Sequence, residues 1–232
     1  GTFHFSTKVT DLHIEDGRIS KIELNHKEWK DVSGVILAIG HSARDTFEML
    51  YERKVPMMAK SFAVGMRVEH PQDMINESQY GRNADMTLLP TAAYKVTHQS
   101  SNGRGVYSFC MCPGGYVVNA SSEEGRLAVN GMSYRSRDSK NANSAIIISV
   151  TPEDFPKPDH PLSGVVFQRK LEEAAWKLAE GKVPQQLYAD FKENKKSTGY
   201  GSFESCIKGQ HAFANLRTLF PEAVNEAFCE GM

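Results

Sequence analysis

Apolar and polar positions alternate with period two over much of the chain and give way to helical spacing in only a few stretches. Phe3 and Phe5 alternate with polar neighbours, which predicts a strand over 2–6. A second strand is expected over 8–14, then a turn at Asp16-Gly17 and a partner strand over 18–24, with Asn25-His26-Lys27 as the next turn. The densest apolar run is Val35-Ile36-Leu37-Ala38-Ile39, which ends at Gly40 and leads through His41 and Ser42 into helical spacing at Phe47, Leu50 and Tyr51. A β-branched apolar run that meets a glycine and then a helix has the pattern of a buried parallel strand handing over to a loop. The expectation is therefore a strand over 32–40, with Ser42 as the helix N-cap and Asp45 in the first turn, where a negative charge suits the helix dipole. Ligands of open α/β sheets bind beyond the carboxyl ends of strands, so Gly40, His41 and Ser42 are the first candidates for a cofactor contact.

The remainder reads differently. Phe62, Val64, Met66 and Val68 alternate with Ala63, Gly65, Arg67 and Glu69, a strand over 61–70, and Pro71 can open a short helix. Further strands are expected over 93–99, 105–111, 116–120, 127–130 and 145–150, with a solvated loop over 134–143. Several strands without intervening helices predict a separate, mixed or antiparallel sheet. A proline-rich connection over 151–161 precedes a helix over 163–180, for which Gly181 is a plausible C-cap. A shorter helix over 187–195 and a last one over 222–228, opened by Pro221, complete a mixed α+β chain of the α/β kind.

Net charge is −1 over 232 residues, so global charge suggests no nucleic-acid or membrane partner. Four cysteines are too few for a disulfide scaffold, which points to the reducing cytoplasm. The chain begins at Gly1 and enters strand-like sequence almost at once, and so reads as an excised piece of a longer protein. Cys110 and Cys112 lie two apart on an expected strand and would face the same way, where paired thiols exchange disulfides or bind a soft metal. No second cysteine pair or histidine pair completes a zinc set, and no metal is expected. Gly114 and Gly115 after that strand let backbone approach a flat ligand. Arg67 and Glu69 share a strand face and read as a surface pair. His70 and His160, each before a proline, read as loop residues. His41 is the one histidine with a positional case for function, and no catalytic acid or base is named by the sequence. Walker A, G-x-S-x-G, H-E-x-x-H and G-x-G-x-x-G patterns are all missing.

Five stretches together carry a resemblance. Val35-Ile-Leu-Ala-Ile-Gly-His-Ser-Ala-Arg-Asp-Thr46, Phe62-Ala-Val-Gly-Met-Arg-Val-Glu-His-Pro71, Phe109-Cys-Met-Cys-Pro-Gly-Gly115, Asn130-Gly-Met-Ser133 and Asn215-Leu-Arg-Thr-Leu-Phe-Pro221 resemble the bacterial FAD-dependent dehydrogenases of largely uncharacterised function, relatives of the glutathione-reductase-like flavoproteins. The resemblance implies a partial FAD-binding domain over 1–56, an inserted strand-rich domain over 57–215, and a return segment over 216–232. It also implies that Ala38, Ile39 and Gly40 pass close to FAD, that His41 and Ser42 follow, and that the backbone of Val9 meets the adenine. Cys110, Cys112, Gly114 and Gly115 would then belong to the inserted domain, facing the cleft. The N-terminal G-x-G-x-x-G that holds the pyrophosphate at a helix N-terminus is missing, as is the C-terminal glycine-rich stretch. The chain is thus expected to be the middle of an oxidoreductase that binds FAD weakly or not at all by itself, with an unknown small-molecule substrate. The competing readings are a non-catalytic substrate- or partner-binding module and a thiol-based redox or metal site at Cys110 and Cys112.

Overall fold

Turn chemistry closes the first hairpin. In the computed structural model, which describes residues 1–232, Asp16 and Gly17 take φ of 48° and 74°, the left-handed pair that a two-residue hairpin needs to match strand twist. They join β1 (Val9–Glu15) to β2 (Arg18–Leu24), and a left-handed Asn25-His26 joins β2 to β3 (Glu28–Asp31). The three strands form an antiparallel meander. Helix α1 (Arg44–Glu52) lies against β1 and is clamped at both ends, by Lys8 to Asp45 and by Arg53 Nε donating to Asp11 at 2.6 Å.

Two expected strands do not form. Residues 2–6 are exposed and irregular. Val35–Gly40 is also outside any sheet, with Ile36 93% exposed. A parallel strand needs hydrogen-bonded neighbours and helices over its faces, and no strand of this chain lies beside that run. Ser42 is not the helix cap either. Ala43 holds that position without a side-chain hydrogen bond, and the Ser42 carbonyl accepts from the Arg44 amide at 2.8 Å. Asp45 does occupy the first turn.

Beyond these, β4 (Phe62–Pro71) leads through α2 (Gln72–Tyr80) to β5 (Thr97–Gln99), β6 (Gly105–Cys112), β7 (Gly115–Asn119), β8 (Val129–Ser133) and β9 (Asn141–Val150). Then follow α3 (Ser163–Leu178), β10 (Val183–Gln185), α4 (Tyr188–Lys192), β11 (Ile207–Lys208), β12 (His211–Phe213) and α5 (Glu222–Gly231). The main sheet is antiparallel in the order β4-β9-β6-β5, with β11-β7-β8 and β10-β12 as smaller sheets. The fold is mixed α+β, and no helix is long and apolar enough to cross a membrane.

One face of the main sheet carries the core. Phe62, Val64, Met66 and Val68 of β4 pack with Val106, Ile146, Ile148 and Val150 against Phe155, Phe167 of α3, Phe191 of α4 and Phe228 of α5. Residues 216–232 therefore enter this core through Val224, Ala227 and Phe228. The expected solvated loop over 134–143 is shorter than predicted, because Asn141 and Asn143 are buried at the start of β9. Each amide has one partner: Asn141 Nδ2 donates to the Glu204 carbonyl at 2.8 Å, and Asn143 Oδ1 accepts from Arg67 at 2.5 Å, while Asn143 Nδ2 is buried without one. His70 is likewise not a loop residue but sits half-buried in β4 beside the Tyr94 ring.

A charged cluster ties α1 to this body. Arg44 is 3% exposed. It donates to both Glu172 oxygens (2.8 and 2.6 Å), to Gln168 at 3.2 Å, and to Glu123. Arg169 completes the cluster, at 2.7 Å from both Glu123 and Glu48. Arg169 first, then Arg44, holds the Glu123 carboxyl down at about 2. Arg44→Ala leaves three acceptors facing an emptied site and is expected to cost about 3 kcal/mol or more, read from urea unfolding. Because its folded value lies below the ordinary 4.5, the Glu123 contribution is complete above that pH and is lost as pH falls toward about 2. Glu123→Gln is therefore expected to show a shallower loss of urea midpoint across that window than the unaltered chain.

Candidate functional site

The thiols Cys110 and Cys112 lie at an irregularity in β6. Pairing with β9 slips between Phe109 and Cys112, and Cys110 takes φ of 46°, left-handed for a non-glycine residue. The bulge breaks the period of two, so the expectation that the two thiols share a face by alternation does not apply. Cys110 is exposed and Cys112 is half-buried, with its thiol 3.4 Å from the Cys110 carbonyl. All four cysteines are free, and no group of three or more His, Cys, Asp or Glu comes together.

Sequence reasoning missed the residue that organises this corner. Arg67 and Glu69 do not pair with each other. Arg67 reaches the Cys110 carbonyl (3.1 Å), Asn143 Oδ1 (2.5 Å) and Asn130 Oδ1 (3.2 Å), with Cys112 Sγ 4.0 Å away. Glu69 instead takes the Cys206 amide at 2.8 Å and the Ser205 hydroxyl. Arg44, Arg104, Arg126 and Arg169 each meet a carboxylate, whereas Arg67 is held by neutral acceptors alone. Burial pushes its pKa below the usual arginine value against the pull of Cys112. Gly131 of β8 covers the group closely: a Cβ there would lie 2.2 Å from Arg67 Nη1 and 2.3 Å from Asn143 Oδ1. Pro113 and Gly114 form the β6–β7 turn, and Gly115 begins β7. Gly114 has φ of 47° and no room beside the Arg137 carbonyl, so the turn itself demands glycine.

A cavity of about 540 Å³ opens beside β4. Leu127, Leu171, Ala175, Val183, Phe213 and Leu219 are among its predominantly apolar walls. Glu172 and Gln168, which hold Arg44, also line it. The pattern of apolar residues could not foretell it, because its walls come from many separate elements and connections.

The other expected contacts gather elsewhere. Val9 begins β1 opposite Leu24. Ala38, Ile39, Gly40, His41 and Ser42 lie on the exposed run before α1, and the Lys8–Asp45 pair brings this run near Val9. Gly40 has φ of 68°, and a Cβ there would meet nothing within 4 Å, so conformation and not crowding calls for glycine. His41 Nε2 lies 3.2 Å from the Ser42 hydroxyl. No hydrogen bond or ion pair joins this group to Cys110, Cys112, Gly114 or Gly115.

Residues 61–232 match the family described as FAD-dependent protein, C-terminal domain-like. The chain belongs to this family. The match begins one residue before β4 and takes in Arg67, both thiols and the cavity, while the Gly40 run lies outside it. Over 235 aligned positions the chain is also 48% identical to an uncharacterized protein of Clostridium beijerinckii. That alignment covers the whole of this chain and 44% of the relative, so the chain spans less than half its length. Membership of the FAD-dependent family bears on FAD in related proteins, and the residues present fit one part of such a site. Open backbone at Gly40 beside an uncapped helix start could border a flat cofactor, but the chain offers no glycine-rich cradle for phosphates.

Two outcomes check the geometry. Iodoacetamide is expected to modify Cys110 before Cys112, Cys206 and Cys229, because Cys110 alone is exposed, as peptide mass spectrometry would show. Gly131→Ala is expected to cost about 1–3 kcal/mol in urea unfolding, because the β-carbon displaces Arg67 and Asn143 from a packed site.

Proposed function

We propose that this chain is part of an FAD-dependent oxidoreductase, in which residues 1–56 contribute to the flavin-binding domain and residues from 57 onward form a second domain over it. The observation that carries the reading is the Val35–Ile39 run, apolar yet unpaired and ending at a left-handed Gly40. Exposed β-branched residues of this kind are stabilised by strands on either side, as a doubly wound cofactor domain would provide. Membership of the FAD-dependent family supports the same reading.

FAD, when bound, supplies electron or hydride transfer through its isoalloxazine ring. The chain's own residues position it. The backbone of Ala38, Ile39 and Gly40 borders the cofactor, His41 and Ser42 follow as polar contacts, and Val9 presents backbone toward the adenine. Arg44, through Glu172, fixes the distance between this loop and α3. The substrate is a small molecule, neither nucleic acid nor membrane lipid surface, and the free thiols suit a reducing cytoplasm.

A second reading has its own observation. Arg67 lacks a carboxylate partner and lies 4.0 Å from Cys112 Sγ, which places a cation beside the thiol pair. On that reading Cys110 and Cys112 are a dithiol that serves the flavin or acts without it.

Visible absorption separates the two. The full-length Clostridium relative is expected to purify with bound flavin absorbance, while this chain titrated with FAD binds it weakly or not at all. A relative that shows no flavin absorbance and gains none with added FAD overturns the oxidoreductase reading. Loss of thiol reactivity confined to Cys110→Ser and Cys112→Ser would then favour the dithiol.

A further inference from the structure

The flavin reading leaves the cavity beside β4 unused. Six consecutive residues of β4, Val64 to Glu69, line it. Side chains of a strand alternate between faces, so neighbours in sequence can line one space together only where the strand's edge looks into it. β4 is an edge strand whose only ladder partner is β9. No other backbone or side-chain hydrogen bond reaches the main chain of Val64–Glu69. The edge has no bulge, lysine or internal proline, and its two charged side chains, Arg67 and Glu69, are engaged by other parts of the protein.

The polar side chains around the cavity are already engaged. Glu69 is taken by Ser205 and Cys206, and Glu172 and Gln168 by Arg44. Gln185 donates to Tyr200, Gln186 bridges Lys195 and Leu216, and Tyr188 donates to the Cys229 carbonyl. The Arg67 head group is turned to Cys110, Asn130 and Asn143. No charge is left over for an ionic ligand. What remains unpaired is the β4 main chain, against walls that are predominantly apolar. A volume of about 540 Å³ lies within the usual range for small-molecule sites.

We propose that this cavity binds a neutral, largely apolar small molecule carrying carbonyl groups, whose oxygens accept hydrogen bonds from the outward N–H groups of β4. The apolar body lies against Leu171, Ala175 and Phe213. The site stands apart from the flavin reading, since none of its walls comes from the Gly40 run.

Isothermal titration of the whole chain, without flavin, tests it with three probes of one shape: benzophenone, its carbonyl-free counterpart diphenylmethane, and the anion diphenylacetate. Benzophenone is expected to bind saturably and about tenfold more tightly than either control, the worth of one net hydrogen bond. Leu171→Trp and Ala175→Trp, each filling the space from α3, are expected to weaken benzophenone at least about tenfold while circular dichroism shows the fold retained. Two positions are used so that a misfolded variant at one leaves the other to read. No saturable benzophenone binding overturns the proposal. So does equal binding of diphenylmethane, tighter binding of diphenylacetate, or unchanged affinity in a folded Trp variant. Uptake of an extended apolar peptide in place of benzophenone assigns the edge to strand addition and equally overturns it.

Discussion

The guanidinium of Arg44 is the contact on which the arrangement of the two ends of this chain depends. A cation that is 3% exposed is tolerable only when its charge is answered, and here both terminal nitrogens are met from across the molecule, by Glu172 and Gln168 on α3 and by Glu123 before β8, while Nε has no partner. Around it, β1, β2, β3 and α1 make no core of any size, with Leu12 and Leu50 their only buried apolar side chains. Hydrophobic burial therefore does little to hold this part to the body. Orientation is set by a bidentate, planar ion pair, which fixes angle as well as distance. Two residues later in the sequence than Ser42, Arg44 makes the Gly40 run stand at a defined place relative to α3. The same Glu172 and Gln168 also form part of the cavity wall, so the loop and the cavity share a support.

Arg67 poses the opposite case. It is a half-buried cation met by amide and carbonyl oxygens without a carboxylate, and its position depends on three local departures from regularity: the bulge at Cys110, the buried Asn143, and the missing side chain at Gly131. Each would be unfavourable alone. Together they aim the Cys110 carbonyl and the Asn143 oxygen at one guanidinium, leaving a positive centre beside Cys112. Strain of this kind persists where surrounding structure over-determines it. The β4 strand therefore has two functions on its two sides: its odd-numbered side chains build the charged corner while its even-numbered ones enter the core.

Local chemistry was legible in the residues, and pairing was not. Asp16-Gly17 named its hairpin because only certain residues accept φ above zero, and Pro71 and Pro221 marked helix starts for equally local reasons, whereas α3 ends before Gly181, with Ala179 at its C-cap. The alternation over 61–70 identified β4 and its core face. Val35–Ile39 shows where such reading stops. Its composition is that of a buried strand, but a parallel strand exists only by its neighbours, and this chain supplies none. Cys110 and Cys112 show a second limit, since one residue of bulge reverses the face on which a thiol falls. The buried asparagines 141 and 143 show a third: polar composition predicted solvent, and a specific partner for each amide decided otherwise. Arg67 was read as one of a surface pair for the same reason, because the partners that bury it come from β6, β8 and β9. Family likeness carried the flavin association, which local pattern alone would not have supplied.

The unsatisfied edge of β4 gives the most direct constraint on what the second part does. A backbone N–H facing an apolar space without a partner costs free energy comparable to a lost hydrogen bond, and this strand turns one outward at every second residue. Such an edge is kept open where something else completes it. The walls limit what that can be. Their carboxylates and amides are committed within the protein, so an ionic visitor would bring a charge that nothing answers, while a hydrocarbon would leave the N–H groups as they were. A neutral molecule with carbonyl oxygens meets both conditions at once. Its place along β4 would also lie between the Arg67 corner on one side and the Arg44 cluster on the other, the two charged centres that hold this strand and the Gly40 run in register with α3.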